Sequence, residues 1–69
     1  MNKHQIKVLA THEARSRRVY LDAKGTSDAE MEYQKWMAIC SLIAGVQNLM
    51  TDDELRLYKA FYGAEFACD

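Results

Sequence analysis

Residues 27–62 read SDAEMEYQKWMAICSLIAGVQNLMTDDELRLYKAFY, and this stretch decides the fold. It opens on Ser27, and Glu30 follows three residues later. This spacing is typical of a capping box, in which the serine hydroxyl and the glutamate carboxylate each accept a hydrogen bond from a backbone N–H at the helix start. Apolar residues then recur at helical spacing. The sequence therefore predicts a helix from about residue 28 to residue 49.

A second helix is indicated by the same device later in the stretch. Thr51 precedes Glu54 by three residues, and apolar side chains follow at intervals of three and four. Gly63 offers a stop for this helix, because glycine readily adopts the left-handed conformation that ends many helices. Only a few residues connect the two helices, so we expect residues 28–49 and 52–62 to form a helical hairpin.

The first 24 residues allow two interpretations. Ile6, Val8 and Ala10 occupy alternate positions, and a similar alternation at Val19, Leu21 and Ala23 would complete two short strands. Alternatively, Thr11 could cap a helix that runs to about Ala23. We favour the helix, because good helix formers dominate the segment and no turn residue interrupts it. The expected fold class is therefore mainly α.

The chain has 69 residues, and this length predicts one small domain. We divide it into a basic N-terminal segment (1–24), the capped hairpin (27–62) and a tail (63–69). Hydrophobic residues make up 49% of the chain, which is too many for a disordered tail. A domain of this size buries only about 60% of its unfolded surface. It usually needs dense packing, a cross-link or a partner subunit to be stable.

The two cysteines, Cys40 and Cys68, show no framework spacing, so we expect both to be reduced thiols in a cytoplasmic protein. His4 and His12 are not paired with them or with acidic residues in a metal-binding pattern, so we expect no metal and no cofactor. The N-terminus lacks the apolar core of a signal peptide. The apolar run at residues 36–46 is too short to span a membrane.

The first predicted helix of the hairpin is apolar on more than one side, whereas a surface helix normally has one apolar face. A simple intrachain core is one explanation. We favour a homodimer, because so short a chain has little else to cover the second face, and twofold dimers are the commonest assembly. Small residues at positions 38, 41 and 45 would let two helices approach closely. The expected dimer-interface residues are Ala38, Ile39, Leu42, Ile43, Val46 and Leu49.

Charge is distributed unevenly along the chain. Residues 1–24 contain six Lys and Arg against two acidic residues, whereas residues 25–69 contain three against eight. Arg15, Arg17 and Arg18 lie near Tyr20, and such a patch can meet phosphates or an acidic protein surface. A solvated face, or pairing with acidic residues of the same molecule, is the alternative. Nucleic acid is the less expected partner, since the net charge is −1 and no recognition-helix pattern is present.

Aromatic residues and methionines are the remaining candidates for partner contact, because interfaces are enriched in them. Trp36 also suits a core position. No glycine-rich phosphate loop, GxSxG elbow or Cys–His pair with an orienting group occurs, so we expect no enzyme activity. The expected partner-binding residues at this point are Tyr20, Tyr33, Trp36, Met37, Tyr62, Arg15, Arg17 and Arg18.

The short single domain, the capped hairpin at 27–62, the basic N-terminal segment and the lack of a catalytic motif resemble the small host-takeover proteins of temperate phages. Among these, the chain is similar in size and helical character to the quorum-sensing anti-activators of Pseudomonas phages. The resemblance implies a helical homodimer that binds the DNA-binding domain of a LuxR-type transcription activator and also inhibits a type IV pilus assembly ATPase. In that role, acidic residues such as Glu30 and Glu32 would face a basic surface of the target. The alternatives are a small DNA-binding regulator and an anti-defence protein that binds a bacterial immune complex.

Overall fold

The computed structural model describes the backbone of residues 1–67 and the side chains of residues 1–65, and it shows three helices. These are α1 (Lys3–Ala23), α2 (Ala29–Gln47) and α3 (Asp52–Ala67). No strand occurs in residues 1–67. The mainly α prediction is thus confirmed, and of the two interpretations of the N-terminal segment, the structure has the helix.

Helix α1 begins eight residues before Thr11, the start considered in the sequence. Asn2 is the N-cap: its side chain accepts a hydrogen bond from the backbone N–H of Gln5 at 2.8 Å, and the Gln5 side chain accepts one from the Asn2 N–H at 3.0 Å. This is a complete capping box with Asn and Gln in place of Ser and Glu. The sequence therefore carried the signal for this start, in the asparagine at position 2 and the glutamine three residues later.

The turn between α1 and α2 departs from the predicted capping box at Ser27. The Thr26 hydroxyl donates to the Ala23 carbonyl at 2.6 Å and accepts from the Asp28 N–H at 3.2 Å. Gly25 has φ +85°, a left-handed conformation that glycine adopts without strain. Because Thr26 organises the turn, α2 begins with Asp28 as its N-cap and without a side-chain cap bond. The prediction that Ser27 and Glu30 form a capping box is wrong.

The capping box at the start of α3 is confirmed. The Thr51 hydroxyl accepts from the Glu54 N–H at 3.2 Å, and the Glu54 carboxylate accepts from the Thr51 N–H at 2.9 Å. Gly63, however, does not stop the helix, which continues to Ala67. A glycine inside a helix costs about 1 kcal/mol, which contacts with a neighbouring helix readily offset. Residues 68–69, including Cys68, lie outside the described part of the chain.

Helix α1 lies between the other two helices and supplies most of the core contacts. It packs against both α2 and α3, which touch each other only marginally. The buried cluster contains Ile6 and Ala10 of α1, Ile43 of α2 and Tyr58 of α3. Ala10 and Ala14 are at most 1% exposed, and their small side chains let the neighbouring helices approach α1 closely. The helical hairpin of the sequence is present, and its two helices are held together chiefly through α1.

Candidate interaction surfaces

The arginines of the basic segment hold α1 to α3. The Arg15 Nε donates to the Glu65 carboxylate at 3.2 Å, and the Arg18 guanidinium donates to the Glu65 carbonyl at 3.2 Å. The Arg17 guanidinium donates to the Tyr62 hydroxyl at 3.1 Å. We call these five residues the α1–α3 clamp. All three arginines thus have partners within the chain. For the basic patch, the structure therefore shows the alternative given above, in which its side chains pair with groups of the same molecule.

A second polar contact joins α1 and α3 nearer the core. The Tyr58 hydroxyl donates to the Glu13 carboxylate at 2.6 Å, and Tyr58 is only 3% exposed. Burial, reinforced by this hydrogen bond, raises the pKa of the Tyr58 phenol well above its usual range. Burial likewise raises the pKa of the half-buried Cys40 thiol, with the Glu13 carboxylate adding to the effect. Cys40 is therefore a protonated, weakly reactive thiol in this setting.

Three aromatic rings meet near the turn between α1 and α2, and we call them the aromatic corner. Tyr20 of α1 stacks on Trp36 of α2, with ring centroids 5.5 Å apart. Tyr33 meets both rings edge-on, at 5.3 Å from Tyr20 and 6.2 Å from Trp36. The Arg17 guanidinium lies 6.0 Å from the centroid of the Trp36 ring. The structure thus brings together three of the expected partner-binding aromatics, with 41% of Tyr33 exposed.

A shallow cleft opens beside the aromatic corner. It has a volume of about 330 Å³ and is lined by Tyr20, Ala29, Glu30 and Tyr33. Glu30 is exposed and forms no hydrogen bond or ion pair with the residues whose side chains are described. Glu32, in contrast, pairs with Lys35 at 3.5 Å. Of the two acidic residues expected to face a partner, only Glu30 borders this cleft.

The expected dimer-interface residues fall on two sides of α2. Ile43 is 3% exposed and belongs to the intrachain core, against which Ile39 also packs. Leu42 on α2 and Leu49 in the turn after α2 are 73% and 87% exposed, respectively. Ala38 and Gly45 are also exposed, on the same side of α2 as Leu42, and Val46 is half-buried at the border. We call the exposed row the outer seam; its members are Ala38, Leu42, Gly45 and Leu49.

Two expected partner residues lie apart from the aromatic corner. Met37 is half-buried on α2, and Tyr62 stacks on Tyr58 with ring centroids 6.4 Å apart while accepting the hydrogen bond from Arg17. Sequence reasoning missed Glu13 and Glu65, the two acidic residues that organise the α1–α3 contacts. A lone glutamate in a helix carries no sequence signal of its own, because its partners are 45 and 50 residues away.

Other clefts lie away from the aromatic corner. A cleft of about 300 Å³ lies between α1, α2 and α3 and is lined by Glu13, Gln47, Tyr58, Lys59, Tyr62 and Gly63. Within the described part of the chain, no three His, Cys, Asp or Glu residues are grouped so that they could hold a metal ion. None of the described helices is both long enough and apolar enough to cross a membrane.

No protein-family model, curated protein sequence or solved structure matches this chain. The candidate surfaces are therefore defined by the geometry of the chain itself. Two of them are unusual for a domain of 69 residues: the outer seam of exposed leucines and the partly exposed aromatic corner with its acidic cleft.

Proposed function

We propose that the protein is a non-enzymatic, homodimeric inhibitor that acts by binding another protein. The observation that carries this proposal is the exposure of two leucines, Leu42 on the side of α2 that faces away from the core and Leu49 in the turn after α2, at 73% and 87%. Two largely exposed leucines contribute little to the stability of a small domain on its own, whereas a partner surface that buries them gains about 1.5–3 kcal/mol for each.

The outer seam suits pairing with a second copy. Its three helical members, at positions 38, 42 and 45, follow the alternation of four and three that places residues along a helix–helix seam, and Leu49 follows in the turn after α2. Ala38 and Gly45 are small, and a Cβ placed on Gly45 would have no described atom within 4 Å apart from its chain neighbours and the backbone of its own helix. In a twofold pair, Leu42 of one copy would fill the space beside these small residues in the other copy.

A protein is a better partner than nucleic acid for this chain. A nucleic-acid-binding surface needs cations that are available to phosphates. Here Arg15, Arg17 and Arg18 all have donor contacts within the molecule, and Arg17 is also packed against Trp36. Each of them already uses a donor within the α1–α3 clamp, so phosphate contacts would compete with the contacts that hold α1 to α3. The exposed part of the aromatic corner, in contrast, has no such competing role, since 41% of Tyr33 is exposed.

The narrower proposal follows from the resemblance to phage anti-activators. The protein would act in the host cytoplasm, bind the DNA-binding domain of a LuxR-type activator and inhibit a type IV pilus assembly ATPase. An anti-defence protein would use the same surfaces on a bacterial immune complex. Both are instances of one chemistry, in which exposed aromatic and apolar side chains anchor a folded protein partner.

The test combines capture with a mass measurement. The tagged protein is incubated with a nuclease-treated Pseudomonas lysate, retained proteins are identified, and the purified chain is examined by size-exclusion chromatography with light scattering. We expect a dimer mass and retention of a LuxR-type activator or the pilus ATPase. Recovery of nucleic acid alone from a parallel untreated lysate, and of nothing from the nuclease-treated one, would contradict the inhibitor proposal and favour the DNA-binding alternative.

A matched pair of variants separates the dimer from general effects on α2. Leu42→Glu places a charge in the outer seam and should give a monomer, because burying an unpaired carboxylate in an apolar interface is costly. Ala44→Glu adds the same charge at an exposed site about 200° around the helix from Leu42. This control should remain dimeric. Two dimers, or two monomers, would show that the outer seam is not the interface.

A further inference from the structure

We infer that the cleft beside the aromatic corner binds an arginine side chain of the protein partner. The inference rests on the proposed function, since it assigns one contact of the partner to one place on this chain. The cleft is lined by Tyr20, Ala29, Glu30 and Tyr33, and it has a volume of about 330 Å³. Its shape, its free carboxylate and the behaviour of neighbouring cations all point to the same occupant.

The walls of the cleft suit a flat cation. Tyr20 and Tyr33 are in edge-to-face contact, with ring centroids 5.3 Å apart and an angle of 60° between their planes, so together they form one aromatic wall of the cleft. Ala29, whose side chain is small, and Glu30 complete the lining. A guanidinium is planar, less strongly hydrated than an ammonium, and stacks well on aromatic rings. Since 41% of Tyr33 is exposed, a side chain can enter from solvent.

The charge at the cleft selects a cation over an anion. Glu30 borders the cleft and has no hydrogen bond or ion pair among the residues whose side chains are described, whereas Glu32, two residues later, is paired with Lys35. A carboxylate can accept two parallel hydrogen bonds from a guanidinium, a geometry that a lysine ammonium cannot provide. The cleft thus combines ring faces with an unused acceptor for the edge of the guanidinium.

Two cations of the chain itself already lie near rings of the aromatic corner. The Arg17 guanidinium lies 6.0 Å from the Trp36 centroid, and the Lys24 ammonium lies 5.9 Å from the Tyr20 centroid. Lys24 is an exposed residue, so its ammonium competes with an incoming cation and also repels it. The direction in which affinity changes when the Lys24 charge is removed therefore distinguishes a cationic ligand from an anionic one. Removing the Lys24 charge should strengthen the binding of a cation and weaken the binding of an anion.

The probe is a hexa-arginine peptide, titrated into the full chain by calorimetry at physiological salt. Trp36 is the single tryptophan, so its emission reports on the aromatic corner directly. We expect binding that Glu30→Gln weakens about threefold, the effect of a partly exposed ion pair. Tyr33→Ala should weaken it about fivefold, and Tyr33→Phe should leave it unchanged, because a phenyl ring keeps the cation–π contact.

Charge-matched controls exclude a general electrostatic effect. Asp53→Asn removes one negative charge from an exposed carboxylate whose nearest cation is Arg56 on the same helix, and it should leave the affinity unchanged. Lys24→Met should tighten binding. A hexa-citrulline peptide, which keeps the shape of arginine without its charge, should not bind. Circular dichroism of each variant establishes that α1 and α2 are intact.

Three results would overturn the inference. The first is an equal loss of hexa-arginine affinity in Glu30→Gln and Asp53→Asn. The second is weaker hexa-arginine binding by Lys24→Met, and the third is tighter binding of hexa-glutamate than of hexa-arginine by the unchanged protein. These results are independent of the test of the proposed function. If no host protein is captured but the peptide behaves as expected, the inhibitor proposal fails and the arginine cleft stands. If a partner is captured and the peptide does not bind, only the cleft assignment fails.

Discussion

The two sides of the bundle differ in the contacts that their side chains make within the chain. On the side where α1 meets α3, polar groups find partners within the chain: the α1–α3 clamp, the Tyr58–Glu13 hydrogen bond and an ion pair of 3.4 Å between the N-terminal amine and Glu54. On the outer side of α2, apolar side chains face solvent and no comparable contact is present among the described residues.

This difference separates contacts that specify the fold from surface that is left for a partner. Hydrogen bonds with defined geometry fix how α3 lies along α1, because each donor must meet a particular acceptor. The N-terminal amine pairs with Glu54 near the start of α3, whereas residues 13–18 of α1 pair with residues 58–65 further along α3, so α1 and α3 are parallel. The outer seam has no such constraint from within the chain.

The largest expected effect comes from comparing two adjacent residues of α2. Ile43→Ala should lower the free energy of unfolding by about 2–4 kcal/mol, because it leaves a cavity in the cluster with Ile6 and Tyr58. Leu42→Ala should lower it by less than about 0.5 kcal/mol in the monomer, since an exposed leucine loses little on truncation. Urea denaturation at micromolar protein concentration measures both values.

The same two variants should rank in the opposite order when their effects on dimer dissociation are compared. Leu42→Ala should weaken the dimer, which light scattering detects across a dilution series, while Ile43→Ala should leave the dissociation constant nearly unchanged as long as the protein is folded. A large loss of stability in dilute Leu42→Ala would show that this side chain belongs to the intrachain core. The distinction between the two sides of α2 would then be lost.

A smaller effect is expected on the α1–α3 side, where Tyr58→Phe removes the hydroxyl that donates to Glu13. The variant should lose about 1–3 kcal/mol of stability, because the part-buried carboxylate is left without this donor. The pKa of the folded Tyr58 phenol lies above its ordinary value of 10.0. The contribution of the Tyr58 phenol to the free energy of unfolding is therefore complete below pH 10 and is lost as the pH rises further.

The measurement is the free energy of unfolding as a function of pH for the wild type and Tyr58→Phe. The two curves should be separated by a constant amount near neutral pH and should converge in alkali. Curves that coincide at neutral pH would mean that water replaces the tyrosine hydroxyl at Glu13 at no cost.

Local features of the fold were predictable from the sequence in part, since the box at Thr51 was right and the one at Ser27 was wrong, whereas the contacts between distant segments were not predictable. The Thr51–Glu54 box was predicted because its two residues are three apart and the chemistry is complete within one turn. The clamp at Glu65 joins residues about 50 positions apart, and nothing near Glu65 in the sequence indicates that Arg15 and Arg18 will meet there.

The candidate site was predictable in composition but not in arrangement. Tyr20, Tyr33 and Trp36 were identified by residue type, and only the packing of α1 on α2 makes them one cluster. Similarly, the small residues and leucines of α2 indicated a surplus of apolar surface. Which of them face the core depends on how α1 is placed, and this separated Ile43 from Leu42.

The smallest effects are expected at the starts of α2 and α3. The sequence shows the same capping signal at both starts, and the structure uses it only at α3. Thr51→Ala should lower the free energy of unfolding by about 1 kcal/mol, because the Glu54 N–H loses its acceptor at the start of α3. Ser27→Ala should change it by less than about 0.5 kcal/mol, because the Thr26 hydroxyl, and not that of Ser27, accepts from the Asp28 N–H. Thermal or urea unfolding of both variants under identical conditions decides between them. Equal losses would mean that Ser27 caps α2 after all, and a neutral Thr51→Ala would mean that the N-terminal amine and water suffice to hold Glu54 at the start of α3.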